Sequence, residues 1–156
     1  IHFAAFAMPY LGTFSLLSHG YSHARVAAAR QQLDQAVSSM PFMMPATGSG
    51  ASPHVFSHLI VAHRTIGLHL HRPSGGLLGS ALRPPDPVEI EKVRGILADA
   101  NLPDDVWIED DGDRQWVRGV VRLTAGPACT GCHTSPGETL GVATMKVGDK
   151  VKLPKR

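Results

Sequence analysis

Apolar positions along this chain recur with two different periods, and each change of period marks a boundary between elements. Over residues 22–40, Val26, Ala29, Leu33 and Val37 return at helical spacing within a stretch rich in Ala, Arg and Gln. Ser22 reads as its N-cap, and Pro41 as its stop. Residues 41–53 are crowded with breakers. The run Thr47-Gly48-Ser49-Gly50 within them lacks the Lys-Ser/Thr pair of a phosphate loop. Residues 61–71 switch to alternation, with Ile66, Leu68 and Leu70 on one face and Thr65, His69 and His71 nearer the other, so a strand is expected.

A Pro- and Gly-rich connection over residues 73–87 follows. An amphipathic helix then starts at Pro87, with Asp86 as N-cap and Ile90, Val93, Ile96 and Leu97 as its apolar stripe. Asn101 and Pro103 end it. Residues 106–109 and 115–124 form a hairpin pattern about Asp110-Asp111-Gly112-Asp113, and residues 141–147 a last strand. The order helix, strand, helix, hairpin, loop, strand predicts an α+β domain, an antiparallel sheet with flanking helices. No internal repeat is present.

Residues 1–21 stand apart from that domain, which spans residues 22–156. Residues 1–17 are almost wholly apolar but are broken by Pro9 and Gly12. With no basic start and no cleavage site, they are not a signal peptide as they stand. They are also short of the ~20 residues of a typical span. The expectation is a segment docked on the core or a neighbouring subunit, or a membrane anchor.

Composition narrows the function classes. A net charge of +2 with scattered basic residues gives no basis for nucleic-acid binding, and the basic stretch over residues 146–156 reads as a solvated tail. There are two cysteines, too few for a secreted disulfide scaffold.

Those cysteines carry the chemistry. Cys129-Thr130-Gly131-Cys132-His133 is the Cys-x-x-Cys-His pattern of covalent haem attachment. At this spacing each thiol reaches one vinyl group of the porphyrin, and the next imidazole reaches the iron. Thr130 and Gly131 are small enough to let the backbone pass the ring edge. A thioredoxin-like pair would open a helix, which residues 134–137 break, and a zinc knuckle would need two further local ligands. One haem c is therefore expected, with His133 as proximal ligand. Such attachment occurs on the outer side of the energised membrane, so the expected location is periplasmic or extracellular, with membrane association open. The motif lies late in the sequence and outside any helical pattern, which fits neither small helical cytochromes c nor four-helix cytochromes c′.

Residues 64–147 resemble the Tll0287-like family of c-type haem domains. The resemblance rests on Arg64-Thr65, Arg72-Pro73, Pro85-Asp86-Pro87-Val88-Glu89, the strand from Trp116 to Leu123 leading into the haem motif, and Gly141-Val142-Ala143 beyond it. Residues 74–82 are an insertion relative to that pattern. The resemblance implies a PAS-like fold and a role as a periplasmic cytochrome or a sensor module. It also implies a distal iron ligand on the N-terminal helix. Some family members use a Cys there, and Met40 stands at the corresponding position here. A thioether suits low-spin iron. Met43, Met44, His54, His58, Met145 and an open site are the alternatives, and core filling is the competing role for each Met.

Arg64 and Arg72 are candidates to pair with haem propionates. His63, His69 and His71 share a strand face, but no carboxylate matches them in sequence, so they read as partly exposed strand histidines rather than a metal site. Asp104, Asp105, Glu109, Asp110, Asp111 and Asp113 read as a solvated hairpin tip. The expected function is one-electron transfer by a monohaem cytochrome, not an enzyme, with redox proteins as partners and residues 1–17 tying it to a larger assembly. A haem-based redox or gas sensor is the alternative.

Overall fold

The computed structural model describes residues 7–43, 60–63, 66–78, 83–111, 114–129 and 135–149, with side chains from residue 20 to 40 in the first helix. That helix, α1, runs Ala7–Met43. It starts well before Ser22 because no proline after Pro9 interrupts the upstream residues, and Pro9 falls in the first turn, where its missing N–H removes no ladder bond. Pro41 lies in the last turn and shortens the ladder without stopping the helix before Met43. The buried stripe is Ala29, Leu33, Ala36 and Met40, rotated slightly from the stripe expected on pattern alone, with Val37 packed at its margin.

Among the described residues of the alternating stretch, only His69–His71 form a strand, β1. Residues 60–62 are helical, and a turn closed by Ile66 N–H to His63 O (3.1 Å) precedes the strand. Helix α2 runs Pro87–Ala98. Asp86 caps it, accepting from the Glu89 N–H at 3.0 Å, and Pro87 occupies the start. Its end is Asp99, whose N–H reaches Gly95 O, slightly earlier than Asn101. Strands β2 (Asp105–Asp111), β3 (Arg114–Thr124) and β4 (Thr139–Asp149) follow. Asp110 and Asp111 thus extend β2 rather than forming its turn.

The four strands form one antiparallel sheet in the order β1-β4-β3-β2. With helices on a sheet of this kind, the fold is α+β, as the pattern predicts. The register sorts its residues into two faces. Leu70, Ala143, Val121 and Val117 lie on the face that α1 covers, with Leu68, Met145 and Ile66 in the same cluster. His69, His71, Val142, Thr144, Val120 and Arg118 lie on the other face, where Val93 and Ile96 of α2 pack on Val120 and Val142. All three β1 residues are buried for this reason. Gly119 lets α1 come close, since a Cβ there would stand 2.9 Å from Leu33 Cδ2. Among the described residues, no helix is long and apolar enough to cross a membrane.

Candidate functional site

Two places hold the chemistry-bearing side chains. The first is a polar cluster buried between α2 and the β1–β4 edge of the sheet. Alternation sends His69 and His71 to the α2 face, and register sets Thr144 opposite His69. Glu89, in the first turn of α2, points inward to meet them. Its Oε1 lies 2.5 Å from His69 Nδ1, 3.2 Å from His71 Nε2 and 2.5 Å from Thr144 Oγ1, and its Oε2 accepts from Arg83 Nη1 at 3.2 Å. His69, His71 and Glu89 are 1%, 3% and 5% exposed. Burial alone would raise the Glu89 carboxyl, but hydrogen bonds from His69, His71 and Thr144 outweigh it and hold the group well below the usual carboxylate range.

The first turn of α2 is fixed by a second network on the same face. Arg118 Nη1 donates to both oxygens of Asp86 at 3.0 and 2.9 Å, its Nε pairs with Glu109, and Lys146 Nζ reaches Asp86 Oδ2 at 2.8 Å. Burial pushes the Asp86 carboxyl up, yet Lys146, the Glu89 N–H and Arg118 together bring it down to about 2. The Arg118 guanidinium is raised, since Glu109 and Asp86 outweigh the effect of its own burial.

These networks correct two expectations. His69 and His71 are core residues rather than partly exposed ones; His63 is half-buried. A carboxylate does match them, but it arrives from α2, so spacing within the strand could not reveal it. The only sequence signal for Glu89 was Asp86-x-x-Glu89, a capping-box pattern whose Glu ordinarily reaches back to the cap; here it turns to the histidines instead. Of the acidic residues read as a solvated hairpin tip, Asp110 is exposed as expected and Asp113 lies outside the described residues, but three nearer the sheet are engaged. Glu109 pairs with Arg118, Asp104 Oδ1 accepts the Arg122 N–H at 2.7 Å, and Asp105 lies 3.8 Å from Lys92.

The second place is the end of the sheet where β3 passes into β4. The connection leaves through the 3₁₀ turn Pro127–Cys129, where the Cys129 N–H reaches Gly126 O at 2.9 Å. Its neck is closed by Ala125 N–H to Glu138 O (2.8 Å) and Gly137 N–H to Ala125 O (3.0 Å). Cys129 is a half-buried free thiol at this end; Cys132 and His133 lie outside the described residues. Gly141, opposite Leu123, brings the β4 backbone against β1 so closely that a Cβ would stand 2.1 Å from His71 O and 3.8 Å from Arg72 Cα. Arg72 is exposed beside it.

The C-terminal part of α1 points to the same end. Arg25 Nη1 bonds Gln115 Oε1 at 2.9 Å, and Leu33 meets Gly119. The helix rises ~1.5 Å per residue against ~3.4 Å in the strand, so Met40 comes level with Val121 and Leu123, which share its cluster. Met40 is buried there, and Met145 lies in the same cluster beside Gly119. Arg64, Met44, His54 and His58 fall outside the described residues, as does the side chain of Met43.

Comparison of the chain with protein-family models, with curated proteins and with solved structures finds no match.

Proposed function

We propose that the chain is a monohaem c-type cytochrome that passes single electrons outside the cytoplasm, as one component of a larger redox assembly. The observation that carries this reading is Cys129-x-x-Cys132-His133 in the β3–β4 connection, whose two ends are hydrogen-bonded to each other where they leave the sheet. That neck fixes Ala125, Gly137 and Glu138, and with them the two ends of the segment that carries the motif.

The surroundings of Cys129 fit the group. The thiol is half-buried and unpaired, Arg72 offers an exposed guanidinium at the same end of the sheet, and α1 carries Met40 towards it. Cys129 and Cys132 would hold haem c as thioethers, His133 would be its proximal ligand, and Met40 its distal one. When bound, the haem supplies a one-electron couple whose potential follows its ligands and its burial. The chain's own part is to orient the imidazole and thioether, exclude water with the apolar cluster of Val121, Leu123 and Met40, and offer Arg72 to a propionate. Pairing of the first strand with the last in an antiparallel sheet suits a PAS-like fold.

The test is an oxidised and reduced absorption spectrum, extended to the near infrared, with a pyridine haemochrome assay. The chain should be made in a cell that matures c-type cytochromes. A c-type haemochrome and a Met-ligation band are expected, and Met40→Ala should lose the band and gain carbon monoxide binding. A wild-type high-spin spectrum that shifts with carbon monoxide would replace electron transfer by the sensor reading. A chain without covalent haem would end both.

A further inference from the structure

We propose that His69, His71 and Glu89 bind a divalent transition-metal ion of the zinc class, at a site separate from the Cys129–His133 loop. Three donor atoms, one from each residue, lie within 4.8 Å of one another on buried side chains. Two imidazole nitrogens and one carboxylate oxygen form a donor set that selects zinc, cobalt, nickel or copper over magnesium and calcium.

The supporting shell has the form such ligands need. The second nitrogen of His71, Nδ1, faces the Gly75 carbonyl oxygen at 3.4 Å, the pattern by which ligating histidines fix their tautomer. In the tautomer whose Nδ1–H donates to that carbonyl, the neutral ring holds a lone pair on Nε2, which faces Glu89 Oε1 3.2 Å away. Two lone pairs so placed share either a proton, which gives the hydrogen bond described above, or a metal ion, which replaces it. The Glu89 oxygens divide the work, with Oε2 held by Arg83 while Oε1 faces the histidines and Thr144.

The donors also sit on fixed elements. His69 and His71 are locked by pairing to Thr144 and Val142, and Glu89 by the Asp86 cap, itself held by Arg118 and Lys146. Metal–ligand distances of ~2.0–2.1 Å would ask the carboxylate to draw back from His69 by about an ångström.

The experiment uses the tag-free full chain, dialysed against chelator and titrated with Zn²⁺ by calorimetry, with metal content read by plasma mass spectrometry. The site predicts one zinc per chain in addition to any haem iron. Binding should survive in Cys129→Ser/Cys132→Ser, which removes the competing thiolate loop. It should fall by more than ~100-fold in Glu89→Gln, beyond the usual loss for a residue outside the ligand set. Glu89→Gln keeps a side-chain oxygen for Thr144 and the histidines, so it tests ligation apart from folding. Zinc-edge X-ray absorption of the loaded wild type supplies the second readout. A first shell of nitrogen and oxygen alone supports the site, whereas sulfur at ~2.3 Å places the metal on the cysteines and overturns it. Failure to hold stoichiometric zinc, or an unchanged affinity in Glu89→Gln, also overturns it. None of these outcomes depends on whether haem is attached.

Discussion

Replacing Asp86 tests how the α2 face is held, because one carboxylate does two separable jobs there. It caps α2 through the Glu89 N–H, and it neutralises Arg118, whose side chain is 7% exposed, together with Lys146 at 18%. Loss of a cap oxygen costs ~1 kcal/mol. Stripping a buried charge of its partner costs ~3–5 kcal/mol. That figure must be reduced here, because Asp86 remains 25% exposed and Glu109 still faces Arg118 Nε. About 2 kcal/mol is the reduced value, so Asp86→Ala should lose ~3 kcal/mol in all. Asp86→Asn retains a cap acceptor and should lose only the ionic ~2 kcal/mol, part of it from the helix dipole.

The pH dependence follows from the same carboxylate. Its folded value, about 2, lies below its ordinary 3.8. The stability it confers is therefore complete above 3.8 and is lost as pH falls through about 2. Urea unfolding followed by tryptophan fluorescence should show wild type and Asp86→Asn separated at pH 7, equally separated at pH 5, and converging between 3.8 and about 2. A gap that stays constant across that range, or one below ~0.5 kcal/mol at pH 7, would refute the ionic account.

Other substitutions report on the remaining contacts. Gly141→Ala should destabilise by at least ~3 kcal/mol in the same urea assay, since φ is 151° and the new Cβ would meet His71 O. Leu33, fully buried between α1 and the sheet, should cost ~2–5 kcal/mol on truncation to Ala, checked by the same midpoint shift. Cys132→Ser should leave at most one thioether, seen as a red-shifted pyridine haemochrome band; an unshifted band would show that Cys132 takes no part.

Much of the fold was legible because it depends on local pattern. Helix α2 was placed by Asp86, Pro87 and its apolar stripe, and the hairpin by alternation over the residues that became β2 and β3. Those residues decide their own backbone, so neighbours in sequence were enough. Helix α1 was read too short because Ser22 and Pro41 look like caps wherever they stand; continuation of the ladder past each depends on the residues beyond. The strand at β1 was read too long for a related reason. Residues 60–62 have apolar spacing that a helix and a strand can both use, and Gly67 at φ 54° turns the chain before pairing begins.

The candidate sites divide along the same line. Cys129-x-x-Cys132-His133 needs no fold to be seen, because its chemistry requires the ligands to be adjacent in sequence. His69, His71 and Glu89 come from different elements, and alternation could show only that the two histidines share a face. Burial of that face, the arrival of Glu89 opposite it, and the Asp86–Arg118–Lys146 network that fixes the helix all require α2 to be folded onto the sheet. Sequence by itself determined the α2 cap and stripe, the alternation of the hairpin and the Cys-x-x-Cys-His spacing, each a relation between near neighbours. Tertiary structure alone decided which polar residues became core, because burial belongs to the packing of one element on another.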